Sequence, residues 1–311
     1  MELEGEIKMI DRLMDKIEKT ANPTVVGLDP TYEMVPPQIK AEMLERHGKT
    51  PKAAAEMLLS FNLGIIDQVW DLVPAVKLQI AMYEQYGIEG LRAYLETIAY
   101  AKEKGLIIIG DIKRGDIAST AAAYAAHIAG AEIEGTRFDL WNEDAVTLNP
   151  YMGFDGIEPF LAPCNRYDKG IFVLVKTSNP SGKELQDLVS EGKPVYEHTA
   201  QLVSKWGEAA MGAGGYSRVA AVVGATYKEQ GQELRKKMRH TFFLIPGYGA
   251  QGASGDDIRG YFDRDGRGCI VNSSRGIIAA YQKDKKYGAD NFADAAREAV
   301  LAMKKDLGGI S

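Results

Sequence analysis

The 311-residue chain predicts a single (β/α)8 barrel, a TIM barrel of the α/β class, and three observations carry the prediction. Eight short aliphatic runs recur along the chain, each continuous rather than alternating, which is how strands buried on both faces read. Stretches with helical spacing of apolar residues separate most of them. No Pro/Ser-rich linker or low-complexity tract divides the chain, so residues 1–311 read as one domain. An open doubly wound sheet is the alternative use of the same elements.

In chain order, a helix comes first, because Ile7, Ile10, Leu13, Met14 and Ile17 share one face. The first strand is expected at 24–28, followed by an insertion near 30–51 and a helix over 60–72. A strand at 75–78 leads to a helix at 91–104, and a strand at 106–110 to an Ala-rich, tightly packed helix at 120–131. Strands at 145–148 and 171–175 follow, then a second insertion near 181–193 and a helix at 199–211. The series closes with a strand at 219–223, a helix at 228–239, strands at 242–245 and 269–272, and a helix at 291–306. Both insertions follow strands, on the face where barrels of this kind keep their active sites.

The bulk numbers exclude several classes of function. Hydrophobic residues make up 45% of the chain, enough for a large core, and the formal net charge of -6 implies no broad basic surface for nucleic acid. Cys164 and Cys269 lie far apart, with no His/Cys ligand spacing, which suggests a reducing compartment and no structural zinc. The N-terminus lacks an apolar signal core, and no segment approaches the roughly 18 apolar residues of a membrane span, so a soluble cytoplasmic protein is expected. His47, His127, His198 and His240 fall away from the strand ends and read as surface or packing residues. No Ser-His-Asp constellation is present.

The chemistry gathers just past the strands. The first ends in Gly27-Leu28-Asp29-Pro30, the second carries Lys77 and Gln79, and the third ends in Asp111-Ile112-Lys113. The fourth runs into Asn149-Pro150-Tyr151 and the fifth into Lys176-Thr177-Ser178-Asn179-Pro180. The seventh opens into Gly247-Tyr248-Gly249-Ala250-Gln251-Gly252, the eighth into Ser274-Arg275-Gly276. Turn chemistry explains the Gly, Pro and Asn residues but not Lys77, Asp111 and Lys113. Asp111 and Lys113, two apart, are expected to point the same way from an extended strand end, with Lys77 on the neighbouring strand. Opposite charges at about 4 Å attract by roughly 4 kcal/mol at an effective dielectric near 20, before desolvation. Flanked by carboxylates, Lys113 suits a proton donor better than a nucleophile. A structural ion-pair network at the barrel rim is the plainer reading of the same charges.

A phosphate site is the second signal. Gly247 to Gly252 formally match G-x-G-x-x-G, but at the seventh strand and without the acidic residue that dinucleotide sites place about 20 positions on. Barrels bind phosphate in the loops after strands 7 and 8, where the glycine backbone and the Arg275 guanidinium suit a dianion.

Taken together, Gly27 to Pro30, Lys77, Asp111-Ile112-Lys113-Arg114-Gly115-Asp116-Ile117 with Thr120, Asn149 to Tyr151, Ser178 to Pro180, Pro246 to Gly252, and Ser274-Arg275 resemble the orotidine 5'-phosphate decarboxylase family, in its longer bacterial-type branch. The D-x-K-x-x-D core alone is shared with related sugar-phosphate enzymes; the joint pattern, at seven strand ends, is far more specific. The resemblance implies a barrel homodimer without cofactor or metal that converts orotidine 5'-monophosphate to uridine 5'-monophosphate and carbon dioxide. It implies that Asp29 and Lys77 bind ribose hydroxyls and that Lys77, Asp111, Lys113 and Asp116 form the charged catalytic set. Asp116, Ile117 and Thr120 would enter the partner's site. Ser178 would read the pyrimidine edge, Gln251 and Arg275 would hold the phosphate, and Pro180, Gly252 and Ser274 would also bind the substrate. Lys113 would then stabilise and protonate the carbanion left at C6, while Asp111 stresses the departing carboxylate. Tyr248 is larger than the pattern implies, and the 181–193 insertion matches no motif. Two other readings fit parts of the sequence: a metal-dependent barrel acting on a sugar phosphate, and a nucleotide-binding barrel without activity.

Overall fold

A computed structural model describes residues 8–249, 253–283 and 286–308. Its centre is a closed barrel of eight parallel strands. These are β1 Thr24–Leu28, β2 Ala75–Gln79, β3 Ile107–Arg114, β4 Ala145–Leu148, β5 Gly170–Lys176, β6 Ser217–Val223, β7 Thr241–Ile245 and β8 Cys269–Ser273. Each pairs with the next, and β1 pairs with both β2 and β8, which rules out the open doubly wound arrangement. All eight expected strands are present. The largest difference is at β3, which runs four residues past the expected 110, to Arg114.

Both strand faces are buried, which is why the aliphatic runs do not alternate. Val25, Ile107, Ile109, Phe172, Val222, Phe242, Leu244 and Ile270 fill the barrel interior. The N-terminal helix α1, Met9–Thr20, adds Met9, Ile10, Leu13 and Met14 to this inner core. Gly170 makes room for it, since a Cβ there would lie 1.9 Å from Met9 Cε. The buried Asp11 carboxylate accepts the Ala213 and Gly214 N–H groups at 3.0 and 2.8 Å, tying α1 to the loop before β6. Ile7 lies outside the described residues. The outward strand residues, among them Val26, Leu28, Val76 and Ile108, pack in an outer core against the surrounding helices.

The insertions and connections hold more structure than their sequences suggest. The 30–51 stretch contains a helix, α2 Pro37–His47, opened by proline at its first position and ended at Gly48. The next helix, α3 Pro51–Val69, starts nine residues before the expected 60, because Thr50 caps it by accepting the Ala53 N–H at 3.2 Å. The helix expected over 120–131 is instead two short pieces, Ala118–Tyr124 and Ala126–Ala129, followed by a hairpin of Ala131–Ile133 with Thr136–Phe138. The 181–193 insertion folds into a short helix, Lys183–Gln186, and paired strands Val189–Ser190 and Lys193–Pro194. The helix Glu158–Arg166 has no counterpart among the elements expected from sequence. Among the described residues, no helix is long and apolar enough to cross a membrane.

Candidate active site

The strand ends converge on a cavity of about 750 Å³ at the C-terminal mouth of the barrel. Its charged centre comes from β3, by a route the sequence does not show. Gly110 pairs with Val146 and Arg114 with Leu148, so Asp111, Ile112 and Lys113 stand opposite Thr147 alone. The strand bulges, and Lys113 takes a left-handed φ of 45°. Asp111 and Lys113 therefore meet through a bulge, not through the extended i, i+2 geometry that spacing suggests. Thr147 stitches the bulge together: its hydroxyl donates to Asp111 Oδ1 at 2.8 Å and accepts the Lys113 N–H at 3.0 Å. A non-glycine residue held at positive φ marks a place where structure overrides local preference to aim a side chain.

Asp111 is the hub. Its Oδ1 accepts from Lys113 Nζ at 2.6 Å and from Thr147; its Oδ2 accepts from Lys77 Nζ at 2.7 Å and from Gln79 Nε2 at 3.0 Å. Burial alone would raise this carboxyl's pKa, but Lys77 and Lys113 outweigh it and hold the group well below the usual carboxylate range. For Lys77, burial pulls the other way, and Asp111 and Asp29 overcome it, so its ammonium is pushed up to about 12. Asp29 Oδ1 lies 3.6 Å from Lys77 Nζ, and among the described residues nothing hydrogen-bonds it. The two lysines differ in access: the Lys77 side chain is 5% exposed, that of Lys113 44%.

Asp116 does not line this cavity, nor do Ile117 and Thr120. Ile117 is 49% exposed, and Asp116 accepts the Ile117 N–H at 2.8 Å. Within one chain the charged set is Asp29, Lys77, Asp111 and Lys113.

Opposite β1, the end of β5 presents Ser178 to the cavity, whereas Pro180 is exposed and outside the wall. The insertion that follows is fastened to the residues just before Ser178. Lys176 is buried, pairs with Asp187, and places its ammonium 4.6 Å from the Tyr227 ring centre and 5.2 Å from that of Tyr196. The Thr177 N–H donates to Gln186 Oε1 at 3.0 Å, and Gln186 Nε2 donates to Thr177 Oγ1 at 2.6 Å. The insertion thus braces the Ser178 turn. Releasing one strut by Asp187→Asn is expected to raise KM about 5-fold with a smaller change in kcat, a loss on the order of 1 kcal/mol of binding. Steady-state kinetics check this, and an unchanged KM would remove the bracing role.

On the remaining side, Gly247 and Gly249 take φ of 94° and 70°, backbone that favours glycine. Tyr248, unexpectedly large for this loop, donates its hydroxyl to Asp306 of the last helix, Phe292–Leu307, and the same Oδ2 accepts the Gly255 N–H at 2.7 Å. Its size reaches a tether point. Gln251 and Gly252 lie outside the described residues. Ser274 and Arg275 line the cavity; Ser274 Oγ is buried, and among the described residues it has no partner and Arg275 no ion pair. A guanidinium with no ion pair among the described residues, beside a buried hydroxyl and a glycine-rich turn, can take a phosphate dianion.

Sequence reasoning left Gln79 without a role and missed Thr147 and Asn272, which also lines the cavity. The signal was available in Ala-Val-Thr-Leu and Cys-Ile-Val-Asn: one polar residue in an otherwise aliphatic strand. His127 is a packing residue, as expected, buried with Nδ1 2.7 Å from Glu143 Oε2 and stacked on Trp141. Both cysteines are buried and free.

Residues 23–289 match the Orotidine 5'-phosphate decarboxylase / HUMPS family. The chain is 46% identical over 297 residues to orotidine 5'-phosphate decarboxylase of Rhodopirellula baltica, covering 94% of this chain and 96% of the relative. It is 45% identical over 302 residues to the enzyme of that name from Petrotoga mobilis, covering 96% and 98%. Its fold is similar to the solved structure of Leishmania donovani OMP decarboxylase, with a TM-score of 0.73, 27% identity, and coverage of 98% and 99%.

Proposed function

The chain belongs to the orotidine 5'-phosphate decarboxylase / HUMPS family and converts orotidine 5'-monophosphate to uridine 5'-monophosphate in pyrimidine biosynthesis; we propose that it does so without metal or cofactor, with Lys113 protonating C6. The observation that carries the mechanism is the accessible Lys113 ammonium, held 2.6 Å from a fixed carboxylate at the cavity wall. Loss of carbon dioxide leaves an electron pair at C6, in the ring plane, where the ring does not delocalise it. A fixed cation at that point stabilises the developing charge and then supplies the proton. Of the two lysines, Lys77 is enclosed between two carboxylates and serves as a structural and ribose-binding cation. Asp111, with four donors on its two oxygens, keeps Lys113 in place and has no lone pair free for a metal ion.

The rest of the site suits the nucleotide. Asp29 Oδ1, which among the described residues accepts no hydrogen bond, can accept a ribose hydroxyl, Ser178 would face the pyrimidine edge, and Ser274 and Arg275, with Gln251 and Gly252, would grip the phosphate. Grip far from C6 would contribute by ordering the site, since a single ion pair cannot supply the roughly 8–23 kcal/mol by which enzymes lower barriers. A homodimer completes the reading. Ile117, Tyr151 and Met152 are 49%, 76% and 49% exposed, apolar side chains close in sequence to Asp116 and the fourth strand end that would form the subunit seam. Across it, Asp116, Ile117 and Thr120 would enter the partner's site. Two free buried cysteines suit a reducing compartment, the cytoplasm.

Purified protein is expected to convert orotidine 5'-monophosphate to uridine 5'-monophosphate in excess EDTA, followed by loss of the orotate absorbance. Chelator-sensitive turnover would point instead to metal-dependent chemistry. Tight binding of uridine 5'-monophosphate with no turnover would leave a binding protein.

A further inference from the structure

We propose that Asn272 is a further substrate-contacting residue, whose side-chain carbonyl accepts a hydrogen bond from a ribose hydroxyl of the bound nucleotide. The inference rests on the nucleotide reading of this site and extends it to a residue outside the family pattern described so far.

Asn272 sits on the inward face of β8, two residues after Ile270, which belongs to the inner core. It is 6% exposed, and among the described residues its Oδ1 has no hydrogen-bond partner. Val222, Leu244 and Leu174 also line this cavity from inside the barrel, so packing there calls for an apolar side chain. A buried amide carbonyl with nothing to accept is a poor choice for the fold alone. It is a good choice for a site that receives a donor.

The chemistry of the nucleotide narrows that donor. A phosphate dianion and a carboxylate carry no proton to give. The pyrimidine N–H belongs to the Ser178 side, four strands round the barrel from β1. Asn272 is instead beside β1: a Cβ on Gly27 would lie 3.1 Å from its Oδ1 and 3.2 Å from its Nδ2. Gly27 is in register with Lys77, and Asp29 follows two residues on. Asp29 Oδ1 is likewise buried and, beyond its ion pair with Lys77 at 3.6 Å, accepts no hydrogen bond among the described residues. Two buried acceptors, one on β8 and one just past β1, the second 3.6 Å from the Lys77 ammonium, match the two donors of a ribose cis-diol. Glycine at position 27 keeps the space between them clear.

Asn272→Leu and Asn272→Ala are to be compared with the unaltered enzyme for binding of uridine 5'-monophosphate and its 2'-deoxy and 3'-deoxy analogues. The leucine variant is expected to melt no lower than the parent, since no protein hydrogen bond is lost. Both variants should bind uridine 5'-monophosphate about 10-fold more weakly, with one deoxy analogue showing no penalty because the donor is already gone. Unchanged binding of uridine 5'-monophosphate would overturn the proposal, as would an equal penalty on all three nucleotides. If the parent enzyme fails to decarboxylate orotidine 5'-monophosphate, the underlying reading fails; if it turns over while the variants bind normally, only the role of Asn272 does.

Discussion

Lys113→Ala is expected to lose turnover by at least about 10^4-fold while binding uridine 5'-monophosphate within a few-fold of the unaltered enzyme. General-acid catalysis contributes about 10^2–10^4-fold, and loss of a preorganised charge at the reacting atom a further 10^2–10^3-fold. Both vanish with this ammonium, because the other lysine cannot replace it: Lys77 is buried and engaged by Asp111 and Asp29. Product affinity survives because Asp29, Ser178, Ser274 and Arg275, proposed to hold the nucleotide, lie elsewhere on the wall. The fold tolerates the change, since Lys113 is half exposed and its φ of 45° costs alanine no more than lysine. Single-turnover rates together with product titration check both halves. Equal activity in the variant would remove Lys113 from the chemistry.

Asp111→Asn should reduce both activity and stability. The amide keeps the shape but removes the charge between two ammonium groups. Lys113 loses the partner that fixes it, and a rate loss on the order of 10^2–10^4-fold is expected. Lys77, 4% exposed, keeps only Asp29 at 3.6 Å, and breaking a buried pair in this way costs about 3 kcal/mol. The effect has a pH signature. The folded-state pKa of Asp111 is depressed, so its contribution to stability is present above the unfolded value of about 4 and is lost as pH falls below it. Lys77 is raised to about 12, so its contribution is present below about 10.4 and is lost as pH rises through about 12. Denaturant melts between pH 2 and 8 should show the parent losing stability below about pH 4 and Asp111→Asn losing less there. Parallel acid limbs in the two proteins would show that the network does not hold Asp111 ionised.

The barrel was legible because its strands are buried on both sides, and a continuous aliphatic run such as Leu106 to Ile109 suits a strand packed on both faces. The charged residues were legible by their position: Lys77 and Asp111 each interrupt an aliphatic strand, and burial of a charge demands a partner. What was not legible depends on tertiary contacts. The bulge at Asp111 to Lys113 exists because Thr147 of the next strand accepts and donates there, and no spacing rule reports it. The bracing of the insertion needs Lys176 to meet Asp187 eleven residues on, through a loop with no regular period. The role of Tyr248 appears only when Asp306 arrives from the last helix. Asn272 was readable as an anomaly, a polar residue in an aliphatic strand, but its unpartnered carbonyl is a property of the folded barrel.

In the proposed mechanism Lys113 delivers the proton to C6. By microscopic reversibility the same side chain, as the neutral amine, must also take that proton from the product. The most direct measurement is therefore exchange of the C6 hydrogen of uridine 5'-monophosphate in D2O, followed by NMR at saturating enzyme. The unaltered protein is expected to introduce deuterium at C6, and Lys113→Ala, with the nucleotide bound, to leave that hydrogen in place. Exchange in the variant at the rate of the unaltered protein would assign the proton to another group.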